Sequence, residues 1–225
     1  MKWPSILVIV IALTVGVAIG AFSNGNSATA QDAEKKVNVK APVTGEDYSP
    51  VDPTKIDMGE MMAKYLAVGT PGKYHERLKY FIGEWELESQ MMMQGMEAPP
   101  TKGTATYSWL MEGRWLQSNM TGNLMGRPFH FAAIMGYDNQ RKQYVSARFS
   151  SLDTSMVKST GAISRDGSEI DLYFQLDDVG TGEVGKNGRS HFRILDENSF
   201  VIDVYDLAIA GQKNQVLRFS AKRKQ

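Results

Sequence analysis

The sequence contains no cysteine among its 225 residues, so a disulfide and a lipid attached through an N-terminal cysteine are both excluded. It also lacks an excess of either charge, since 25 basic residues balance 25 acidic ones. This balance argues against nucleic acid or an anionic membrane surface as a partner. A stable fold must therefore come from an apolar core, for which the chain is long enough.

The first 30 residues predict a secretory signal peptide. Lys2 supplies the positive charge, residues 6–22 form a 17-residue run without a charged side chain, and Ala28 and Ala30 form an A-x-A cleavage site. Cleavage after Ala30 would leave 195 of the 225 residues, with a net charge of −1 because Lys2 is lost. We therefore expect an extracytoplasmic protein, periplasmic or secreted, with no membrane span after cleavage. The apolar run is near the lower length limit for crossing a bilayer, so an uncleaved N-terminal membrane anchor is the alternative.

Residues 31–54 are polar, contain three prolines and hold few large apolar side chains, and we interpret them as a flexible linker. The folded domain should then occupy residues 55–225 and begin with one or two short helices. Asp57 and Glu60 fit a capping box in front of a helix at about residues 58–68. Thr70 and Pro71 fit the start of a second helix that continues to Ile82.

From residue 84 onward, apolar and polar side chains alternate as they do in half-buried β-strands. The connections between these segments are too short for parallel crossovers, so neighbouring strands must be antiparallel. Closure into a barrel would remove the exposed edges of so long a meander. The sequence predicts a mostly β fold, an antiparallel up-and-down β-barrel of about ten strands with a helical lid, and a curved open sheet or a sandwich is the alternative. The predicted strands lie at about 84–93, 101–110, 115–122, 128–137, 142–150, 156–164, 168–176, 189–196, 199–207 and 214–223.

Gly-Glu-Trp at 83–85 and Gly-Tyr-Asp-Asn at 136–139 occur together with several other characteristic segments. As a set they resemble one bacterial protein family, domain of unknown function 1579, over roughly residues 70–224, and these two motifs are the most specific parts of the resemblance. It implies a lipocalin-like, calycin-type barrel but no established activity. In such barrels the Gly-x-Trp element closes one end, with the tryptophan packed under a helix. The segments are residues 75–78, 81–85, 112–116, 126–129 and 136–146.

The Gly-Tyr-Asp-Asn segment at 136–139 and the strand after it carry two further expectations. Asp138 and Asn139 should make a tight turn, and Gly136 should allow a close approach or a bulge. In the resembled family an aromatic residue and an acid often follow this strand, whereas this chain reads Arg148-Phe149-Ser150. A site that depended on that acid would be missing here.

Patterns for catalysis or metal binding are scarce. No G-x-S-x-G element occurs, and His75, His130 and His191 fall on separate elements without the spacing of a zinc site. One of these histidines could still ligate haem inside the barrel. Asp177-Asp178 precedes a glycine-rich stretch without a Walker ending, which favours a solvated hairpin loop. We predict no catalytic residue and no cofactor, lean against an enzyme, and keep a hydrolase or isomerase at the barrel mouth as a third hypothesis.

Methionine is unusually frequent, with 13 residues in the chain. Thioethers are soft ligands that select Cu(I), so a cluster near the end of the first strand is a candidate copper site. The alternative is that alternate methionines point into the barrel and fill gaps in its core. The candidate copper ligands are Met91, Met92, Met93 and Met96.

The leading functional hypothesis is a binding module for a small apolar or amphipathic ligand in the barrel interior, which requires a cavity of at least about 300 Å³. The alternative is a structural or protein-interaction domain with a filled barrel, and a homodimer is compatible with it. Its exposed anchors would be Trp109, Trp115 and residues 91–96. The candidate ligand-binding residues are Trp85, Met91, Met93, Trp109, Phe131, Tyr144, Phe174, Phe192 and Phe219.

Overall fold

The computed structural model describes residues 52–93, 96–124, 126–179, 181–209 and 214–225, with only the backbone at Pro53, Met93 and Met96. The predicted signal peptide and nearly all of the predicted linker lie outside these residues, so both stay predictions. The described residues belong to two compact units, 52–67 and 68–225. Within the described residues, no helix combines the length and the apolar character needed to cross a membrane.

The first unit holds a 3₁₀ turn, Pro53–Lys55, and most of helix α1, Met58–Gly69. The predicted cap of α1 is confirmed, because the Glu60 backbone N–H donates to Asp57 Oδ1 at 3.0 Å. Helix α1 buries none of its side chains, so its apolar stripe is exposed.

The second unit contains a closed antiparallel β-barrel, which confirms the predicted fold class. Ten long strands follow one another around the barrel, and β1 pairs with β11 to close it. The two-residue strand β2 forms a hairpin with the end of β1. The eleven strands of the described residues are β1 Gly83–Met93, β2 Met96–Glu97, β3 Thr101–Leu110, β4 Trp115–Leu124, β5 Arg127–Asp138, β6 Gln143–Ser150, β7 Met156–Ile163, β8 Glu169–Asp178, β9 Glu183–Asp196, β10 Ser199–Asp206 and β11 Gln215–Arg223.

The seam between β1 and β11 joins strands of opposite charge on the outer face. Glu86 lies opposite Lys222 in the register, and Lys224 Nζ lies 3.0 Å from Glu84 Oε2. A shift of the pairing by one residue would turn the buried side of β1, with Trp85 and Leu87, outward. Burial and charge therefore specify the same register.

One end of the barrel is plugged by α2, Lys73–Glu76, and the 3₁₀ helix Arg77–Phe81. The indole Nε1–H of the buried Trp85 donates to the Phe81 carbonyl oxygen at 2.7 Å. The Arg223 guanidinium lies 4.1 Å from the centre of the Trp85 ring and donates to the carbonyl oxygens of Ile82 and Tyr80, both at 2.8 Å. The tryptophan thus packs under a helix, as the Gly-x-Trp element led us to expect.

Gly83 makes this junction between the plug and β1 possible. Its φ of +124° is a conformation that L side chains rarely adopt, and a Cβ there would lie 3.1 Å from Arg223 Nη1. A structural role for Gly83 and Trp85 follows from both the backbone and the contacts.

The plug is also held by the hairpin between β5 and β6. The Tyr137 ring stacks on Tyr74 at 4.4 Å between centroids, and the Tyr144 hydroxyl donates to the Tyr74 carbonyl at 2.7 Å. Asn139 Nδ2 donates to the carbonyls of Val68 and Thr70 at 2.9 and 2.8 Å. Asp138 Oδ1 accepts from the N–H groups of residues 140 and 141, which confirms the predicted tight turn.

Two predicted boundaries were wrong. The second helix is not continuous from Thr70 to Ile82, because α2 starts after Gly72 and passes into a 3₁₀ helix at Arg77. Strand β9 begins at Glu183 rather than at 189, so the predicted glycine-rich loop is mostly strand. Gly188 belongs to that strand because its missing Cβ leaves room for the Phe174 ring, 2.3 Å from where a Cβ would stand.

Candidate functional site

A cavity of about 80 Å³ lies inside the barrel, and two of its lining residues, Tyr107 and Phe192, contact Phe81 of the plugged end. It exists because small side chains point inward from five strands, where large ones would fill the space. In one row across the sheet, Ser118 lies opposite Ala133, and Ala133 lies opposite Arg148. In the neighbouring row, Ser146 lies opposite Ser159. The small residues that line the cavity are Ser118, Ala133, Ser146, Ser159 and Ser190.

The rest of the wall is largely aromatic and aliphatic. Phe131 and Phe219 meet edge to face, with their ring centroids 6.2 Å apart. The Phe174 ring lies close against Gly188, and Phe192 completes the aromatic lining. A ligand in this space would meet rings on one part of the wall and hydroxyl groups on the other.

Four of the nine predicted ligand-binding residues line this cavity: Phe131, Phe174, Phe192 and Phe219. The structure does not bring the other five to it. Trp85 and Tyr144 are buried at the plugged end, and Met91 is buried near the opposite end of β1. Trp109 is half-buried against the core, and the Met93 side chain lies outside the described residues.

The polar part of the lining was missed by the sequence analysis. Tyr144 was correctly expected to point inward, and residues 146 and 148 follow it on the same face of β6 because side chains alternate along a strand. This alternation along β6 was the signal in the sequence that could have assigned residues 146 and 148 to the interior. A charged residue is normally assigned to the solvent face, so Arg148 was not considered as a lining residue.

Arg148 is the only charged residue that lines the cavity, among those the structure describes. Its guanidinium carbon lies 5.8 Å from the ring centroids of both Phe131 and Phe174. It forms no hydrogen bond and no ion pair within 4 Å with any described residue. Burial lowers the pKa of the guanidinium, and the Asp153 carboxylate opposes this shift from the adjacent loop. Arginine nevertheless stays protonated in proteins, so the cavity holds a cation.

The serine hydroxyls of the lining resemble Arg148 in having no hydrogen-bond partner among the described residues. Those of Ser118, Ser146, Ser159 and Ser190 make no hydrogen bond with a described residue. Ser118 is buried, and Ser146, Ser159 and Ser190 are partly buried. None of the four hydroxyls is a fully buried atom without a partner, so each can be reached by a molecule in the cavity or by water.

The methionine cluster is divided between two faces of β1. Met91 is buried inside, whereas Met92 is the next residue on the strand and is partly exposed on the other face. These two thioethers point in opposite directions. The backbones of Met93 and Met96 pair in the β1–β2 hairpin, but their side chains are not among those described. The copper site stays a prediction.

None of the three histidines lines the cavity. His75 is buried in the plug, where its Nδ1 accepts from the Gly72 N–H at 3.1 Å. His130 and His191 point outward and contact Asn119 at 3.3 Å and Asp171 at 2.9 Å. The described residues contain no group of three or more acidic or histidine side chains that could hold a metal ion. A haem bound by one of these histidines inside the barrel is not supported.

The acidic residues highlighted in the sequence form structural ion pairs. The solvated loop predicted at Asp177-Asp178 was wrong for Asp178, which is buried and accepts from Lys186 Nζ at 3.1 Å. Burial disfavours the charge of Lys186, but hydrogen bonds to Glu183, Asp206 and Asp178 outweigh it and raise its pKa.

On the outer face of β10, Asp203 is covered by Arg193 and Arg218, which donate to it at 2.8 and 2.6 Å. Its burial raises the pKa of the carboxyl, but these hydrogen bonds outweigh the burial and lower the pKa below its usual value. Asp203 is therefore a satisfied anion, and it leaves no free carboxylate for acid–base chemistry.

The predicted interaction anchors do not lie together. Trp115 lines an outer groove of about 480 Å³ between the strands, whereas Trp109 points toward the barrel interior. The Trp115 ring lies on Gly136, where a Cβ would come within 2.5 Å of it, so Gly136 allows the close approach expected from the sequence. A surface built from both tryptophans is excluded by this arrangement.

A family model described as protein of unknown function (DUF1579) matches residues 70–223. No curated protein matches the chain. Among solved structures, a redesigned β-barrel is 10% identical with a TM-score of 0.37, covering 66% of this chain and 96% of that one. Rv2717c from M. tuberculosis is 12% identical with a TM-score of 0.48, covering 69% and 100%. The S-type phycobiliprotein lyase CPES from Guillardia theta is 7% identical with a TM-score of 0.44, covering 69% and 99%.

Proposed function

Since the chain belongs to the family of proteins of unknown function DUF1579, whose description names no activity, we propose a function from the barrel itself: binding of a small amphipathic ligand in its interior. One observation supports this proposal above the others. The cavity combines a wall of aromatic rings with four serine hydroxyls that make no hydrogen bond to the described residues. The hydroxyls are not fully buried atoms, so they are available to hydrogen-bond a ligand while the rings contact its apolar part.

The cavity volume limits the size of the ligand. At about 80 Å³ the cavity is below the requirement that the sequence analysis set, since ligand pockets start at about 300 Å³. An apolar cavity of about 150 Å³ accommodates benzene. The proposal is therefore restricted to ligands smaller than benzene in this conformation, and a lipid-sized occupant would require the lining side chains to move.

Native mass spectrometry on gently purified protein is the direct test. We expect a small excess mass that is lost on denaturation. The same spectra separate the competing occupants by mass, because copper, haem and a small organic molecule differ widely. A protein that carries no added mass and takes up no small organic molecule offered in excess would contradict the proposal.

Replacing two neighbouring alanines with leucine, one at a time, tests whether the ligand binds in the barrel interior. Ala133→Leu would add a larger side chain inside the cavity, next to Ser118 and Arg148 in the register, and should abolish binding. Ala132→Leu is the matched control, because Ala132 is the preceding residue and points to the outer face. Equal loss of binding in both variants, with both still folded, would place the site elsewhere.

We also infer that the ligand is met outside the cytoplasm. Support comes from the charged start, the apolar run and the A-x-A site of residues 1–30. The mass of the protein isolated from its host tests this, since cleavage after Ala30 leaves Gln31 as the first residue. A chain that retains residues 1–30 and fractionates with membranes would favour the anchored alternative.

A further inference from the structure

We propose that the ligand is a short-chain carboxylate, and that Arg148 binds its carboxylate group inside the barrel with help from the serine hydroxyls around it. This assignment rests on the ligand-binding function proposed above and names the chemical class of the ligand. Arg148 is the positive charge of the cavity, and it points into the same space as Ser118, Ser146 and Ser159.

Arg148 lacks any other hydrogen-bond or ion-pair partner among the residues that the structure describes. The Arg148 side chain is partly buried, a cation removed from water is costly unless it is paired, and arginine has five N–H donors to satisfy. The described residues accept none of them, and the two phenylalanine rings at 5.8 Å lie near the outer limit for a cation–π contact. An anion in the cavity would supply the missing acceptors.

The nearby carboxylate does not take that role. Asp153 Oδ1 accepts from the backbone N–H and the hydroxyl of Ser155, both at 2.8 Å, within its own loop. Its charge favours the protonated guanidinium, but it forms no ion pair with Arg148 within 4 Å. Asp153 therefore compensates the charge from a distance and leaves the donors of Arg148 open toward the cavity.

The register gives the site its geometry. Directly opposed residues of neighbouring strands have Cβ atoms about 5 Å apart, and diagonal neighbours about 7–8 Å. Ser146 lies two positions before Arg148 on the same face of β6, and Ser159 lies opposite Ser146 on β7. Ser118 is reached across Ala133, whose small side chain leaves space for the guanidinium. Donors from three strands therefore surround one position.

The class of anion follows from charge and size. The planar fork of a single guanidinium matches a carboxylate through two parallel hydrogen bonds. Among the described residues, Arg148 is the one cation that lines the cavity, and the volume of about 80 Å³ leaves room for a few carbon atoms against the rings of Phe131 and Phe174. A short aliphatic acid fits the lining, because its carboxylate can bind Arg148 and the serine hydroxyls while its alkyl chain contacts the aromatic rings.

Propionate and propionamide provide the test, since they match in size and differ in charge. Dissociation constants are measured by ligand-observed NMR on the purified protein. We expect propionate to bind at least about tenfold more tightly than propionamide, because hydrogen bonds to charged groups contribute more than neutral ones. Arg148→Met should bring propionate to the level of propionamide, and Arg148→Lys should lie between, because lysine keeps the charge without the fork.

Arg165→Met is the control for the loss of one positive charge, since Arg165 is an exposed residue of the β7–β8 turn, and it should bind propionate like the unaltered protein. Equal affinity for propionate and propionamide in the unaltered protein would overturn the carboxylate assignment and leave the binding function standing. The carboxylate assignment would also be overturned if folded Arg148→Met bound propionate with unchanged affinity. Failure of both probes, together with native mass spectra that show no added mass and no uptake of any other small amphipathic molecule, would instead refute the proposed function itself.

Discussion

Two arginines inside this barrel show how differently its two regions are built. Arg223 at the plugged end lies 4.1 Å from the Trp85 ring and donates to two main-chain carbonyls. Arg148 at the cavity also lies near two rings, yet it has no hydrogen bond to the described residues. A guanidinium whose donors are used within the fold stabilises it. One whose donors face a cavity costs stability, and its presence indicates a role that folding does not explain.

The largest effect that this comparison predicts is at the plugged end. Arg223→Met removes two charge-assisted hydrogen bonds and leaves the carbonyls of Tyr80 and Ile82 without their donor. We expect a loss of roughly 2–4 kcal/mol in the free energy of unfolding, measured by urea denaturation. Lys222→Met is the matched control on the exposed face of β11, where changes usually stay within about 0.5 kcal/mol. Similar losses in both variants would mean that Arg223 is no more important to the plug than a surface charge.

The same substitution at the cavity should act in the opposite direction. Arg148→Met replaces an unpaired cation with an apolar side chain of similar length, so we expect a gain of about 1–2 kcal/mol in the free energy of unfolding. Urea denaturation without added carboxylate measures it, with Arg165→Met as the control. A loss of stability comparable to that of Arg223→Met would show that Arg148 is a structural residue, as Arg223 is.

The smallest effect concerns pH at the plug. Burial is the main cause that lowers the pKa of His75 below its usual 6.5, so the folded protein favours the neutral ring. As the pH falls below 6.5, the unfolded chain takes up the proton first, and stability should fall toward the folded pKa. His75→Gln should flatten this part of the profile of melting temperature against pH. An unchanged profile between pH 7 and the folded pKa would assign the acid sensitivity to other groups.

The strands could be predicted well because burial on one face imposes a period of two. Trp85, Leu87 and Met91 alternate with exposed glutamates and a partly exposed glutamine, and the structure places them inside as expected. The boundary of β9 was missed because Gly185 and Gly188 have the composition of a loop. Gly188 is needed instead to seat the Phe174 ring, which depends on a contact between strands that no local pattern reveals.

The site was only half predictable for a related reason. Aromatic residues such as Phe131 and Phe219 were assigned to the interior because they are apolar. Arg148 and the serines lie on the same inward phase, but their chemistry suggested the surface. Strict use of the parity that starts at Tyr144 would have placed Ser146 and Arg148 inside. The size of the cavity depends on how side chains from several strands fit together, and the sequence alone does not determine that packing.

The pairing of β1 with β11 also has a consequence for how the chain reaches its fold. The hydrogen bond between Arg223 and the Ile82 carbonyl joins residues 141 positions apart, and the whole seam has a similar separation. Contacts between such distant segments form late and slowly, because a long loop must close first. Until they form, both strands are open edges that could pair with another chain. The glutamates of β1 and the lysines near the end of β11 therefore matter before the barrel exists, since like charges on each edge discourage two copies from joining through the same strand.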